Sequence, residues 1–134
     1  MKKIFADTGY WIALLNPDDS LHQKTREITT SIGNTTIVTS EMIFTELLNA
    51  FSGRGKIYKQ KAVKFIEYSF TNPQIEVISQ TEELIKKSLE LYKKRLDKQW
   101  SLTDCSSFYI MEKQNIVLLL LTISILNKLD LEHY

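Results

Sequence analysis

The chain has 134 residues, 43% apolar and 25% charged, with 17 basic side chains against 16 acidic ones. That length suits one domain with its own core, and the composition excludes a disordered polar segment. A net charge of +1 excludes bulk attraction to a polyanion, so a nucleic-acid partner needs a local basic patch or bound cations.

Ile4-Phe5-Ala6 is a short apolar run that reads as a buried strand and stops at Asp7, too early for an export signal. Thr8 to Leu15 has helical apolar spacing, ended by Asn16-Pro17-Asp18-Asp19. Ser20-Leu21-His22-Gln23 has the form of a capping box and predicts a second helix to about Ser31. After the Gly33-Asn34 turn, Thr36-Ile37-Val38-Thr39 predicts a second strand. Ser40 caps a helix carrying Met42, Ile43, Leu47, Leu48 and Phe51, closed by Gly53. A helix from about Tyr58 to Phe70 ends at Asn72-Pro73, and Ile75-Glu76-Val77-Ile78 is a third strand. Thr81 caps a long helix whose apolar stripe is Leu84, Ile85, Leu89, Leu91 and Tyr92. Ser101 caps another to about Lys113, and Ile116 to Leu121 is a fourth strand.

Strands alternating with helices indicate an α/β sandwich around a mostly parallel sheet, with residues 1–134 as a single domain. The apolar run from Ile116 to Leu126 is shorter than the roughly 20 residues a bilayer requires. The lone Cys105 allows no internal disulfide, and His22 and His133 lack companions for a structural zinc site. A cytoplasmic protein with no membrane association is expected.

In open α/β sheets, function gathers at the carboxyl ends of the strands, where Asp7 falls. Asp7 also suits the cap of the following helix. Glu46 lies three residues after Ile43 and four before Ala50, on the apolar face of its helix. A carboxylate there needs a partner, for which a cation is expected. Asp104 completes a capping box with Ser101, yet a helix start can also aim a carboxylate at a metal. Three acids from separated segments suggest a hard-cation site for Mg²⁺ or Mn²⁺. Two basic stretches accompany them: Arg54, Lys56, Lys59, Lys61 and Lys64, and then Lys93, Lys94, Arg95 and Lys98. Each is either a solvated face or a grip for phosphates. Asp7-Thr8-Gly9 copies the aspartic-protease triplet, but a largely helical chain with a single copy does not fit that fold.

The ordered set Ile4-Phe5-Ala6-Asp7-Thr8, Thr39 to Ala50, and Trp100-Ser101-Leu102-Thr103-Asp104-Cys105 resembles the PIN-domain family, in particular its VapC-type toxin ribonucleases. The resemblance runs from Met1 to about Ile116. It implies a PIN-like three-layer sandwich with a four- to five-stranded sheet and an acidic pocket that binds Mg²⁺ or Mn²⁺ and cleaves RNA. Asp7, Glu46 and Asp104 match the first three family acids as catalytic and metal-binding residues, with Asp97, Thr8 and Thr122 as accessory candidates. Arg54, Lys56, Lys59, Lys94 and Arg95 are the RNA-binding candidates. A cognate antitoxin and a homodimer are the partners it implies.

The chain departs from the family after its fourth strand, where a Thr-x-Asp-like motif, often followed by His-His-Phe, usually supplies a fourth acid. Here Thr122-Ile123-Ser124-Ile125-Leu126-Asn127-Lys128 has no acid before Asp130. This favours a second reading, a catalytically impaired module that binds RNA or antitoxin. One set of codons for Leu121 to Asp130 is CTG ACC ATC AGC ATT TTG AAC AAG CTG GAC. Read from its third letter, it spells Asp-His-Gln-His-Phe-Glu-Gln-Ala-Gly. On these freely chosen codons, two compensating frame changes, in the gene or in its recorded sequence, bracketing about Val117 to Asp130 with Leu131-Glu132-His133-Tyr134 back in frame, would account for the departure. Codons in the gene that cannot be shifted this way would overturn the idea.

Overall fold

A computed structural model gives the fold of residues 2–116 and the backbone of residues 119–120. The elements follow as β1 (Lys3–Ala6), α1 (Thr8–Leu15), α2 (His22–Ser31), β2 (Thr36–Ser40) and α3 (Glu41–Phe51). Then come α4 (Lys56–Thr71), β3 (Ile75–Ile78), α5 (Glu82–Lys94), α6 (Leu102–Lys113) and β4 (Leu119–Leu120). The strands form one parallel sheet of order β3-β2-β1-β4, flanked by helices as the sequence implied.

Because β1 is central, its side chains are shielded on both faces: Ile4, Phe5 and Ala6 are buried with Val38 from β2. Helix α3 adds Ile43, Leu47 and Phe51, spaced four apart, to the same core. Trp11 of α1 packs on Phe65 of α4 with ring centroids 4.5 Å apart, and Phe65 stands edge-on to Phe44. Helices α5 and α6 pair antiparallel. Lys113 lies 3.6 Å from Glu83 at one end, while Leu91 packs with Trp100, Cys105 and Phe108 at the other.

Three local expectations need correction. The capping box at Ser20 does not form: Asp19 accepts from the Leu21 amide, and α2 begins at His22 with no side-chain cap. Helix α4 starts at Lys56 rather than Tyr58, because Gly55 turns the chain with φ at 91°. On α5 the stripe is only partly covered: Leu84 is buried, whereas Leu89 and Tyr92 face solvent.

Candidate active site

Asp7 follows the last residue of central β1 in extended conformation, and its buried Oδ1 accepts from the Tyr10 amide at 3.1 Å. The cap is therefore real, and it fixes the carboxylate at the carboxyl end of the strand. The next residue, Thr8, is buried and donates its hydroxyl to Glu46 Oε1. Two acids 39 positions apart in sequence are thus joined through one threonine. Glu46 is half-buried beside the Ile43-Leu47-Phe51 stripe, and Ala50 is exposed, so Glu46 sits at the edge of the apolar face rather than on it. The structure records the Thr8 hydroxyl as a partner of one Glu46 oxygen.

A buried relay supports the same strand end. The Trp11 indole N–H donates to Thr39 Oγ1 at 3.0 Å, and that hydroxyl donates to the Ala6 carbonyl, also at 3.0 Å. Sequence singles out neither residue. The only signals are that Trp11 follows Asp7 by one helical turn and that Thr39 occurs where β2 gives way to its helix cap.

Asp104 forms the predicted capping box: its Oδ2 accepts from the Ser101 amide at 2.9 Å, and Ser101 Oγ accepts from its own amide. At the far end of α6, Gln114 accepts from Lys3 at the start of β1 and donates to Glu76. The ten residue steps from Asp104 to Gln114 span about 15 Å of helix, which separates Asp104 from the amino end of β1. Among the described residues, no three His, Cys, Asp or Glu side chains gather closely enough to hold a metal ion.

Beside Asp104, burial first and the Asp104 charge second push the Cys105 thiol up to about 11. Two units above the ordinary 9.0 leave about 100-fold less thiolate near pH 8, which disfavours Cys105 as a nucleophile. Labelling by a thiol reagent at pH 8 is expected to run slower than for free cysteine by at least that factor. Denaturant should restore the ordinary rate.

The remaining candidates fall into separate places. Asp97 is exposed and takes a two-point grip from Arg95, at 3.0 and 3.1 Å, which holds its carboxyl below the usual range. The Arg95 guanidinium also lies 5.2 Å from the Trp100 ring centre. Asp97, the metal accessory candidate, and Arg95, the phosphate-contact candidate, thus engage each other at the surface. Lys94 is exposed at the end of α5. Arg54, Lys56 and Lys59 are exposed around the α3–α4 turn, and the two lysines line an open groove with Gly55, Val63 and Lys64. Glu41, which meets the start of α3 as expected, accepts from the Gln80 amide at 2.6 Å and ties down the loop after β3. Thr122, and the proposed frame change over Val117 to Asp130, lie outside the described residues.

No curated protein matches the chain. Among solved structures, it is similar to Mycobacterium tuberculosis VapC20, a sarcin-ricin loop cleaving toxin, with a TM-score of 0.75 and 24% identity over 84% of each chain. Residues 4–122 match the profile of the PIN domain, and on that match the chain belongs to the PIN domain family.

Proposed function

We propose that this protein is a metal-dependent endoribonuclease, the toxin component of a VapBC-like pair, hydrolysing RNA phosphodiester bonds with Mg²⁺ or Mn²⁺. The observation that carries the reading is the Asp7–Thr8–Glu46 linkage at the carboxyl end of the central strand. Its donors are all oxygen, which suits a hard cation, and Mg²⁺ commonly rests on one or two carboxylates, waters and substrate phosphate. Asp7 and Glu46, with Asp104 from α6, would hold the ion. When bound, it supplies a Lewis acid for the scissile phosphate and a hydroxide source near neutral pH.

The chain's own residues set up that chemistry. The α1 cap fixes Asp7, the Thr8 hydroxyl fixes Glu46, and the Ser101 capping box fixes Asp104. Each acid is thus held locally, although the three do not converge closely enough to hold an ion as they stand, so metal binding would draw Asp104 and the Asp7–Glu46 pair together. Lys56 and Lys59 on one element and Lys94 on another offer phosphate contacts. The joint replacement Lys56→Glu with Lys59→Glu is expected to weaken RNA binding. It should also flatten the slope of log affinity against log salt by about 1.4, if each lysine meets one phosphate of a single strand. Cleavage at saturating RNA should stay near its original rate; filter binding at several salt concentrations measures the first effect.

A cognate antitoxin and a second copy of the chain are the proposed partners. Exposed Leu48, Val63 and Phe70, and separately Leu89, Tyr92 and Leu96, give apolar surface for them. Among the described residues no helix is long and apolar enough to cross a membrane, and a cytoplasmic site of action agrees with the single thiol.

The absence of an acid between Ile116 and Asp130 favours the second reading, an impaired module that retains RNA or antitoxin. Incubating purified protein with a pool of structured RNA, with Mn²⁺ or with chelator, separates the two. Cutting that chelator abolishes establishes the nuclease. Retention of RNA without cutting selects the module. Asp-His-Gln-His-Phe in place of Thr122 to Leu126 then tests whether the altered segment is responsible.

A further inference from the structure

We propose that Thr39 is a positioning residue for Asp7, acting through the Ala6 carbonyl and itself oriented by Trp11. A single hydroxyl stands between the Trp11 indole N–H, from which it accepts, and the Ala6 carbonyl, to which it donates, each at 3.0 Å. All three residues are buried, so water does not compete for these bonds. Trp11 is in turn held against Phe65 of α4 and edge-on to Tyr10 of its own helix.

The place of the relay gives it its role. The peptide that ends in the Ala6 carbonyl is the one that begins Asp7, so a bond fixing that carbonyl fixes the plane from which the Asp7 side chain departs. Asp7 is held from the other side by the Tyr10 amide, and Trp11 also donates its backbone N–H to the Asp7 carbonyl. Strand end, β2 and α1 are therefore locked around one acid. Contacts of this kind, one step removed from a ligand, orient it and tune its affinity for metal.

The metal arm of the test rests on the nuclease reading; the structural arm does not. Thr39→Val keeps the shape and removes the hydroxyl, Thr39→Ser keeps the hydroxyl, and Trp11→Phe keeps a ring while removing the donor. In amide spectra of the full chain, Thr39→Val is expected to shift the Trp11 indole resonance and the Tyr10 amide that donates to Asp7, and Thr39→Ser to restore both. Mn²⁺ affinity, followed by titration calorimetry, should fall about tenfold in Thr39→Val and recover in Thr39→Ser. Should Thr39→Val prove too unstable, Trp11→Phe carries the same expectation for the Tyr10 amide. A Tyr10 amide indifferent to loss of the hydroxyl or of the indole donor overturns the proposal. A Tyr10 response in a protein that binds no Mn²⁺ and cuts no RNA upholds the relay and removes the nuclease reading.

Discussion

Asp7→Asn is expected to reduce RNA cleavage by about 10³-fold, the upper range for loss of one preorganised electrostatic group. It should leave the melting temperature within about 2 °C of the original, or raise it. The two effects part company because Asp7 has two jobs. As the cap of α1 it needs an oxygen that accepts from Tyr10, and asparagine supplies one. As a proposed metal ligand it needs a negative charge, which asparagine lacks. Removing a carboxylate from a buried position also removes its desolvation cost, so the fold gains or holds even as activity is lost. Asp7→Ala should lose activity equally and also destabilise by about 1 kcal/mol through the missing cap. Cleavage assays beside thermal melts of both variants decide the matter. Retained activity in Asp7→Asn would remove Asp7 from the site.

Glu46→Gln is the second large effect, with Mn²⁺ affinity and cleavage each expected to fall by about 10²-fold. Glutamine preserves a side-chain oxygen for the Thr8 hydroxyl, so the fold and the local geometry should persist. Only the charge goes. If Glu46 merely closed a structural hydrogen bond, the substitution would be silent. Thr8→Val makes the complementary change, leaving the charge and removing its anchor, and a smaller loss is expected from it. Because the two residues act through one bond, their effects should combine to less than their sum. Calorimetric Mn²⁺ titrations of the two single variants and the double variant measure that coupling.

What the sequence made legible divides along the distance between partners. The Ser101–Asp104 capping box, the Ser40 and Thr81 caps and the β3 boundaries all form as read, because each depends on neighbours a few residues away. Where two local signals competed, the reading failed. Asp19 and Ser20 both offer turn-forming side chains, and Asp19 takes the amide that matters for the chain path. Gly55 adopts a backbone angle that the apolar spacing of α4 does not register. Glu46 was read as lying on the apolar face and sits at its edge, and the hydroxyl that meets it lies 38 residues earlier, which no periodicity exposes. Arg95 illustrates the converse. Read with its basic neighbours it suggested a phosphate contact, and the sequence did not show that Asp97 and the ring of Trp100 also engage it. The Trp11–Thr39–Ala6 relay depends on tertiary approach, and the spacing of Trp11 from Asp7 and the place of Thr39 at the end of β2 do not by themselves reveal it.

The strand order carries a consequence for synthesis. β1 leaves the ribosome before the other described strands, yet it lies between β2, which emerges soon after, and β4, which emerges more than a hundred residues later. Its second edge stays open while most of the chain is being made, and pairings of such long sequence separation form slowly. The floor beneath Asp7 closes only when residues 119–120 arrive. Asp7 is thus translated more than a hundred residues before the strand that covers the second edge of β1.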